Sequence, residues 1–578
     1  MITPMQHASL ICRNEDATGL LESLRDFAGM HLNATHGDTD EIETRADELK
    51  RLKKLIQKLE QIEAATGAPT IQDPKALIPY CHQITEALKR IETLTQQISK
   101  EDHTWGPFGK VEPETLSQLR SQGVHVAFYR AAASPVDLPK DSAWLTADPG
   151  FGVAISTESL EFVETSAITM PARGPVRIEQ LHKRLQKFRV AAKVEFAAAA
   201  TCLPDLKAYA DLKTDELDFL KAQSGMNSDQ DLTWIEGFVP TEELPLLETK
   251  ASEWGAALIT REPALEDPTP TLLKQNAFVS WIQPVFTFLG VTPGYNEVDV
   301  GWSFLIFLSI FSGMIIGDAG YGLLLLLVVA GVNIFKAASR GKFANLLYLM
   351  GGATVIWGLL TGNVFGISGI PAIFPSLSAT ADPKTTMNVC FIMGASHLTL
   401  AHLWNFWNKR KSLQALAEIG WIGSTWTMYC VTGQMVLGWK DLPSFITPLF
   451  IASLVLIVVF MTPPKQFKEL WVDHMMLPLS FVNNFVDVVS YVRLYAVGMA
   501  TFALASSFNT MILGGDAERG FVASGIMMII LVLGHALNFI LAGMGVMVHG
   551  IRLNTLEFAS HLGLTWSGIP YAPFKKRT

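Results

Sequence analysis

Apolar residues are distributed in two different ways along this chain. Before about residue 275 they are stepped or alternating, with charges between them; after about 300 they gather into long runs. Eight such runs lie at about 302–317, 320–335, 344–365, 386–406, 415–437, 445–462, 475–510 and 520–556. A helix needs about 20 apolar residues to cross a ~30 Å hydrocarbon core. The last two runs are longer than that, which predicts helices that tilt or extend beyond the membrane. In the first part, Leu49, Leu52, Ile56 and Leu59 recur at three- and four-residue steps, and Ile84, Leu88, Ile91 and Ile98 repeat the seam after the break "TGAPTIQDP" (66–74). That period predicts two long helices, either an antiparallel coiled-coil-like hairpin or part of a local bundle. "MQHASLICR" (5–13), a helix over 16–29 stopped by Gly29, and "MHLNATHG" (30–37) predict β-α-β. "VHVAFYR" and "FGVAIS" predict a small sheet. Residues 176–222 are patterned as helix, and residues 233–262 as strand, helix, strand.

The predicted fold is therefore mixed. An elongated arm (1–275) of α/β lobes joined by long coiled-coil-like helices leads through a linker (276–300) to an all-α polytopic membrane domain (301–574) of eight transmembrane helices, the last two long and tilted. Charge sets the expected orientation. With the N-terminus inside, the inner connections and the C-terminus hold Lys336, Arg340, Lys342, Lys409, Arg410, Lys411, Lys465, Lys468, Lys575, Lys576 and Arg577, against Lys384, Lys440 and Arg519 outside. That asymmetry predicts cytoplasmic ends. The formal charge of −9 does not suggest nucleic-acid binding. Five scattered cysteines without a CxxC pair indicate neither a disulfide framework nor a zinc site. The N-terminus shows no signal peptide, so the arm is expected in the cytoplasm. No phosphate loop, GxGxxG, HExxH or GxSxG occurs, so no nucleotide, cofactor or metal is expected on this chain.

Two patterns inside the apolar runs carry chemistry. In "SYVRLYAVGMA" Arg493 stands among Val489, Val492, Leu494, Ala496 and Val497. An arginine at mid-bilayer costs about 2.5–3.5 kcal/mol on insertion scales. Helical spacing places Ala496, Ala500, Ala503 and Ser507 on roughly its face, small enough for a neighbouring helix to come close. Ser490 lies a turn before it, with Asp487 and Asn484 lower on the helix. In the last run His535, Asn538, Ala542, Gly545, His549 and Arg552 follow at steps of three and four, a polar or small stripe about 25 Å long. A stripe of that kind must face protein or water. Each member read singly has a plainer explanation: an ion-pair partner for Arg493, a snorkelling side chain for Arg552, a hydrogen-bonded core residue for His535. Asp318 in "GDAGYG" reads as structural.

On these residues the chain resembles the membrane stator subunit of V-type and archaeal-type rotary ATPases, subunit a, called subunit I in bacterial V-type ATP synthases. "WIEGFVP", "PTPTLLKQNAFV", "YNEVDVGWSFLIFLSIFSGMIIGDAGYG", "WGLLTGNVFG", "SYVRLYAVGMA", "GHALNFILAGMGVMVHGIRLNTLEF" and "GIPYAPF" carry the resemblance, in family order from about 234 to 574. It implies an ion-translocating subunit, itself without ATP hydrolysis, beside a ring of small membrane subunits that each bear an ion-binding carboxylate. It implies further that Arg493, with Arg552, faces those carboxylates between two aqueous half-channels. Asn484, Asp487, Ser490, Ser507, His535, Asn538, His549 and Glu557 are the expected polar lining. Peripheral stalk subunits would bind the arm, and H⁺ or Na⁺ would be carried. The physics agrees: arginine keeps its proton, favours the ionised form of a passing carboxylate, and blocks leakage of cations. Ala542 and Thr501 depart from the family, standing where some relatives carry a glutamate and a histidine. The alternative class is an autonomous ion-coupled secondary transporter with a cytoplasmic regulatory domain. Such transporters show paired, broken helices, a duplication not visible here.

Overall fold

The computed structural model describes residues 1–33, 40–62, 71, 73–131, 141–158, 167–335, 341–367, 371–462, 471–513 and 521–577. The helix break at 66–74, most of the predicted strand at 30–37, and Lys336, Arg340, Lys465, Lys468 and Arg519 lie wholly or largely outside them. The chain divides into two compact units. One comprises Ser9–Gly237, Leu247–Leu258 and Pro573–Thr578; the other comprises Met1–Ala8, Phe238–Leu246 and Ile259–Ala572.

In chain order the first elements are β1 (Met5–Arg13), α1 (Ala17–Phe27), β2 (His31–Leu32), α2 (Asp40–Glu60), α3 (Pro74–Trp105), α4 (Pro113–Ser121), β3 (His125–Tyr129), β4 (Ser142–Asp148), β5 (Phe151–Ser156) and β6 (Ala167–Ile168). There follow α5 (Pro175–Ala199), α6 (Leu203–Ser224), β7 (Asn227–Asp229), β8 (Leu232–Pro240), α7 (Leu244–Glu253) and β9 (Ala257–Arg261). One sheet has the order β2-β8-β1-β9, with β7 paired to β8; the other is antiparallel, β4-β5-β3-β6. Helix α1 ends at Phe27, two residues before the expected glycine. Ala28 itself takes the left-handed conformation (φ 58°) while its N–H closes on Leu24 O.

All four residues of the first seam are buried, and so is Leu55 beside them. That fifth apolar position widens the stripe beyond what one partner helix covers. Accordingly, α2 packs on Leu77, Cys81 and Ile84 of α3 and also on Phe196 of α5 and Leu206 and Leu217 of α6. The bundle alternative, not an isolated hairpin, is what the structure adopts. Burial of each leucine contributes about 1.5–3 kcal/mol. Farther along α3, Ile98 and Trp105 cover the β3 side of the antiparallel sheet at Phe128, and the Trp105 indole N–H donates to Arg173 O at 2.8 Å.

The second unit holds β10 (Pro270–Thr271), α8 (Gln283–Leu289), α9 (Gly301–Ile316), α10 (Ala319–Phe335), α11 (Lys342–Thr361), α12 (Pro383–Asn408), α13 (Ala415–Thr432) and α14 (Ile446–Phe460). It continues with α15 (Trp471–Met475), α16 (Leu477–Ser490), α17 (Val492–Leu513), α18 (Phe521–Gly545), α19 (Ala559–Leu562) and β11 (Ile569–Pro570). Every apolar run of the sequence is helical here. Lys342–Thr361, Leu477–Ile512 and Ser524–Leu562 are long and apolar enough to cross a membrane. Two π-helical turns, Val546–Gly550 and Leu553–Phe558, interrupt the last of these. Residues widely separated in sequence close the unit. The "PTPT" and "GIPYAPF" stretches pair as parallel strands β10 and β11. The "GDAGYG" and "WGLLTGNVFG" stretches meet at Asp318. Its carboxylate accepts from the backbone N–H groups of Gly320, Tyr321, Phe365 and Gly366 at 2.8–3.1 Å. The structural reading of Asp318 is thereby met.

Candidate functional site

The seventh apolar run is helical from Leu477 to Ile512 with one irregular turn, a break in the α-helical pattern at Tyr491, between α16 and α17, where the ring is fully buried against Gly394 of α12. A Cβ on Gly394 would lie 2.5 Å from the Tyr491 ring, so only glycine allows this approach. The Tyr491 hydroxyl meets His397 Nδ1 at 2.8 Å, and the His397 ring is stacked between Phe307 and Phe558. The break delivers Ser490 and Arg493 to the π-helical turn of the last run.

There Arg493 Nη2 donates to Ser490 Oγ at 2.7 Å and to Glu557 Oε1 at 3.2 Å. Arg552 Nε stands 3.7 Å from the same oxygen. The Glu557 side chain is 4% exposed, Arg493 25% and Arg552 53%, so one buried carboxylate is shared by two cations of unequal access. Glu557 Oε2 and Arg493 Nη1 are buried without a hydrogen-bond partner among the described residues. A guanidinium offers five N–H donors in a fixed fork, and here part of that fork is unused. Removing one partner of a fully buried pair costs about 3–5 kcal/mol; here both arginines keep access to solvent, so neutralising Glu557 costs less.

The face continuing from Arg493 along α17 is open in this chain: Ala496, Ala500, Ala503 and Ser507 are all at least partly exposed. Ser507 Oγ donates to its own helix, to Ala503 O. The stripe of the last run is met in part. Asn538 and Ala542 are buried, His535 is half-buried, and Arg552 is exposed. His535 Nδ1 meets Tyr321 OH at 2.7 Å and its Nε2 meets Asn509 Oδ1 at 3.0 Å. Asn538 donates to Tyr321 OH and Thr501 O. These two residues form a polar cluster of their own. His549 lies in the first π-helical turn, beyond that cluster. Asn484 is buried against α13, donating to Ser424 Oγ and accepting from Thr425 Oγ1.

Asp487 leads to residues that the sequence reasoning passed over. Its Oδ2 lies 3.0 Å from His561 Nε2, and His561 Nδ1 lies 2.9 Å from His402 Nε2. His402 Nδ1 lies 2.8 Å from Glu418 Oε2, whose other oxygen accepts from Lys409 Nζ at 2.7 Å. His402 and Glu418 are both buried. Their signal in the sequence was the presence of titratable residues inside the apolar runs "LAHLW" and "ALAEIGW", each a functional candidate by default in a membrane segment. Among the described residues no group of three or more His, Cys, Asp or Glu side chains is disposed to hold one metal ion.

No family model matches the chain. It is similar over its whole length, and over theirs, to a V-type ATP synthase subunit I of Borreliella burgdorferi (26% identical over 624 residues) and to V-type ATP synthase subunit I 1 of Treponema pallidum (29% over 647 residues). It is also similar to an A-type ATP synthase subunit I of Methanocaldococcus jannaschii, 26% identical over 385 residues, covering 59% of this chain and 55% of that one. With the long apolar helices already described, these relatives make the chain a membrane protein that is similar, end to end in two cases, to subunit I of V-type and A-type ATP synthases.

Proposed function

We propose that this chain is the membrane stator of a rotary ATPase and that Arg493 is its working charge. The open small-residue face of α17 is where a ring of small membrane subunits, each bearing a carboxylate, passes. Arg493 Nη1, unpartnered among the described residues, is the donor held ready for that carboxylate. A permanent cation there favours the ionised form of each arriving carboxylate, so the bound ion leaves; the same charge bars direct passage between the two aqueous half-channels. Glu557 and Arg552 hold the guanidinium in register. The eight helical runs are the transmembrane helices, with both ends of the chain on the cytoplasmic side, and the arm (1–275) binds peripheral stalk subunits and opposes rotor torque.

The observation that carries this reading is the pairing of a half-satisfied Arg493 with an adjacent open face of alanines and serine. Its test is Arg493→Lys in the reconstituted complex. Lysine keeps the charge but loses the planar fork and can give up its proton when desolvated. ATP-driven ion pumping should fall by about 10²-fold or more, as for loss of a principal electrostatic group, while assembly is unchanged. Near-normal pumping would sink the assigned role.

A further inference from the structure

Two irregular turns, one in each of the last two apolar runs, meet through the bond between Arg493 and Glu557. The turn at Tyr491 is tight: Tyr491 N–H closes on Val488 O at 3.4 Å and Leu494 N–H closes on Tyr491 O at 3.1 Å, each three residues back. The turn Leu553–Phe558 is wide and π-helical. Departures of both kinds from the α-helical pitch recur at functional places in long helices. Arg493 follows Tyr491 by two residues, and Glu557 directly precedes Phe558. The geometry of the charge pair is therefore set by how the two turns stand to each other.

One side chain of α12, His397, touches both turns. Its Nδ1 lies 2.8 Å from Tyr491 OH. Its ring lies flat on that of Phe558, with 4.3 Å between centroids and 5° between planes. Phe307 of α9 stacks on it at 3.9 Å, and Phe311 meets it edge-on at 5.5 Å. Three residues earlier on α12, Gly394 leaves the gap that the Tyr491 ring enters. His397, Tyr491 and Phe558 are all fully buried.

We infer that His397 is a positioning residue for the arginine site, which fixes the Tyr491 turn against the Phe558 turn and so holds Arg493 on Glu557. The inference rests on the stator reading above and deepens it by naming what sets the place of the working charge. The make-up of the box around the imidazole carries it. Phe307, Phe311, Tyr491 and Phe558 enclose the ring. A phenylalanine would fill such a box with no polar atom to satisfy. Imidazole brings two nitrogens, and Nε2 has no hydrogen-bond partner among the described residues. An unpaired buried polar atom costs stability. What histidine adds over phenylalanine is the bond to Tyr491, which forms with either tautomer because a hydroxyl both donates and accepts. Stacking alone lets a ring slide in its own plane. The bond removes that freedom and ties the tight turn to the ring on which Phe558 is stacked. The Arg493–Glu557 contact is 3.2 Å long, so a small slip of one turn past the other breaks it. A misplacement of about 1 Å at a working group costs up to about 10²-fold in rate.

The test uses the whole complex in sealed vesicles and reads ATP-driven ion pumping, assembly and melting temperature. His397→Phe keeps the stack and drops the bond. The complex should assemble and melt at the same temperature or higher, while pumping falls by about tenfold to 10²-fold. A residue that only fills the core would do the opposite, lowering assembly or melting and leaving pumping per assembled complex unchanged; unchanged pumping overturns the assignment. Tyr491→Phe removes the same bond from its other end and should pump as poorly. It decides the matter if His397→Phe does not assemble, since normal pumping by Tyr491→Phe also overturns the assignment. A double-mutant cycle with Glu557→Gln gives a readout that a structural role would not move. With the charge pair already weakened, adding His397→Phe should leave pumping close to that of the poorer single variant; losses that multiply place the action of His397 elsewhere and overturn the assignment. Arg493→Lys separates the two claims. If it abolishes pumping while His397→Phe and Tyr491→Phe pump normally, the stator reading stands and the positioning role falls; if it pumps normally, the stator reading itself falls.

Discussion

Two buried carboxylates in the membrane unit, Asp318 and Glu557, are 1% and 4% exposed, yet their surroundings differ in kind. Asp318 is saturated. Four backbone N–H groups reach its two oxygens, two of them from the first turn of α10, where donors have no partner within the helix. Nothing in that shell can leave without breaking the chain's own path. Glu557 is half-satisfied. One oxygen is shared by two arginines that approach on side chains, and the other has no hydrogen-bond partner among the described residues. Saturation by backbone fixes a loop, whereas a charge held by mobile side chains, with capacity unused, can exchange partners. The contrast separates a structural acid from a working one more sharply than burial does.

The largest effect should come from breaking the saturated site. Asp318→Ala strands four donors, each costing about 1–3 kcal/mol when left buried and unpaired. We expect a loss of about 4 kcal/mol or more, read as failure of the complex to assemble or as a steep fall in its melting temperature. A variant that assembles and melts normally would remove the distinction between the two sites. Glu557→Gln is the matching change at the half-satisfied site. The amide keeps the shape and one acceptor, so melting should move little. Pumping should fall by about tenfold, the size of one weakened charge-assisted contact of about 1.4 kcal/mol. Equal losses of stability in the two variants would make Glu557 structural.

How much of this was legible in the sequence depends on the range of the interaction. Every apolar run was readable because its residues satisfy their backbone within the segment. The α2 seam was readable because its period is local, although Leu55 shows why its partners were not: a wider stripe recruits α5 and α6, more than a hundred residues away. Arg493 stood out as a charge in an apolar context. Its bond to Glu557 did not, because the two are 64 residues apart and on different helices. His402, Glu418 and His561 were missed for the same reason, and only the fold makes a series of them. The phase of the last run was readable up to Gly545, where the helix changes pitch.

The phase of the last run gives a smaller prediction. A regular 3.6-residue period sets Ile540 opposite the polar stripe but sets Val546, four residues after Ala542, beside it. In the structure Ile540 is 59% exposed and Val546 is 3% exposed, as that spacing requires. In the complex with its native cysteines replaced, cysteine at Arg552 should react with a water-soluble thiol reagent. Cysteine at Val546 should resist both that reagent and a lipid-soluble one, while cysteine at Ile540 should react only with the lipid-soluble reagent. Rapid aqueous labelling at Val546 would mean that this side of the run faces water and is not packed against protein.

The smallest effect is expected in the helical bundle of the other unit, where the chemistry is plain packing. Cys81 is fully buried against the α2 seam, and burial pushes its thiol from 9.0 up to about 11. Burial disfavours the thiolate, so the neutral thiol is what the folded state stabilises. Linkage gives the sign: this contribution is fully present below the unfolded thiol's pKa, near 9, and is lost as pH rises through about 11. At pH 8 a thiol reagent should therefore leave Cys81 unmodified in the folded protein and modify it at once in urea. Between pH 9 and 11 the bundle should lose a little stability, and Cys81→Ala should remove that slope while lowering the melting temperature slightly through the cavity it leaves. Ready labelling of Cys81 at pH 8 would show that the α2–α3 seam opens on its own, and the contrast between a packed bundle and a half-satisfied charge site would weaken from the bundle's side.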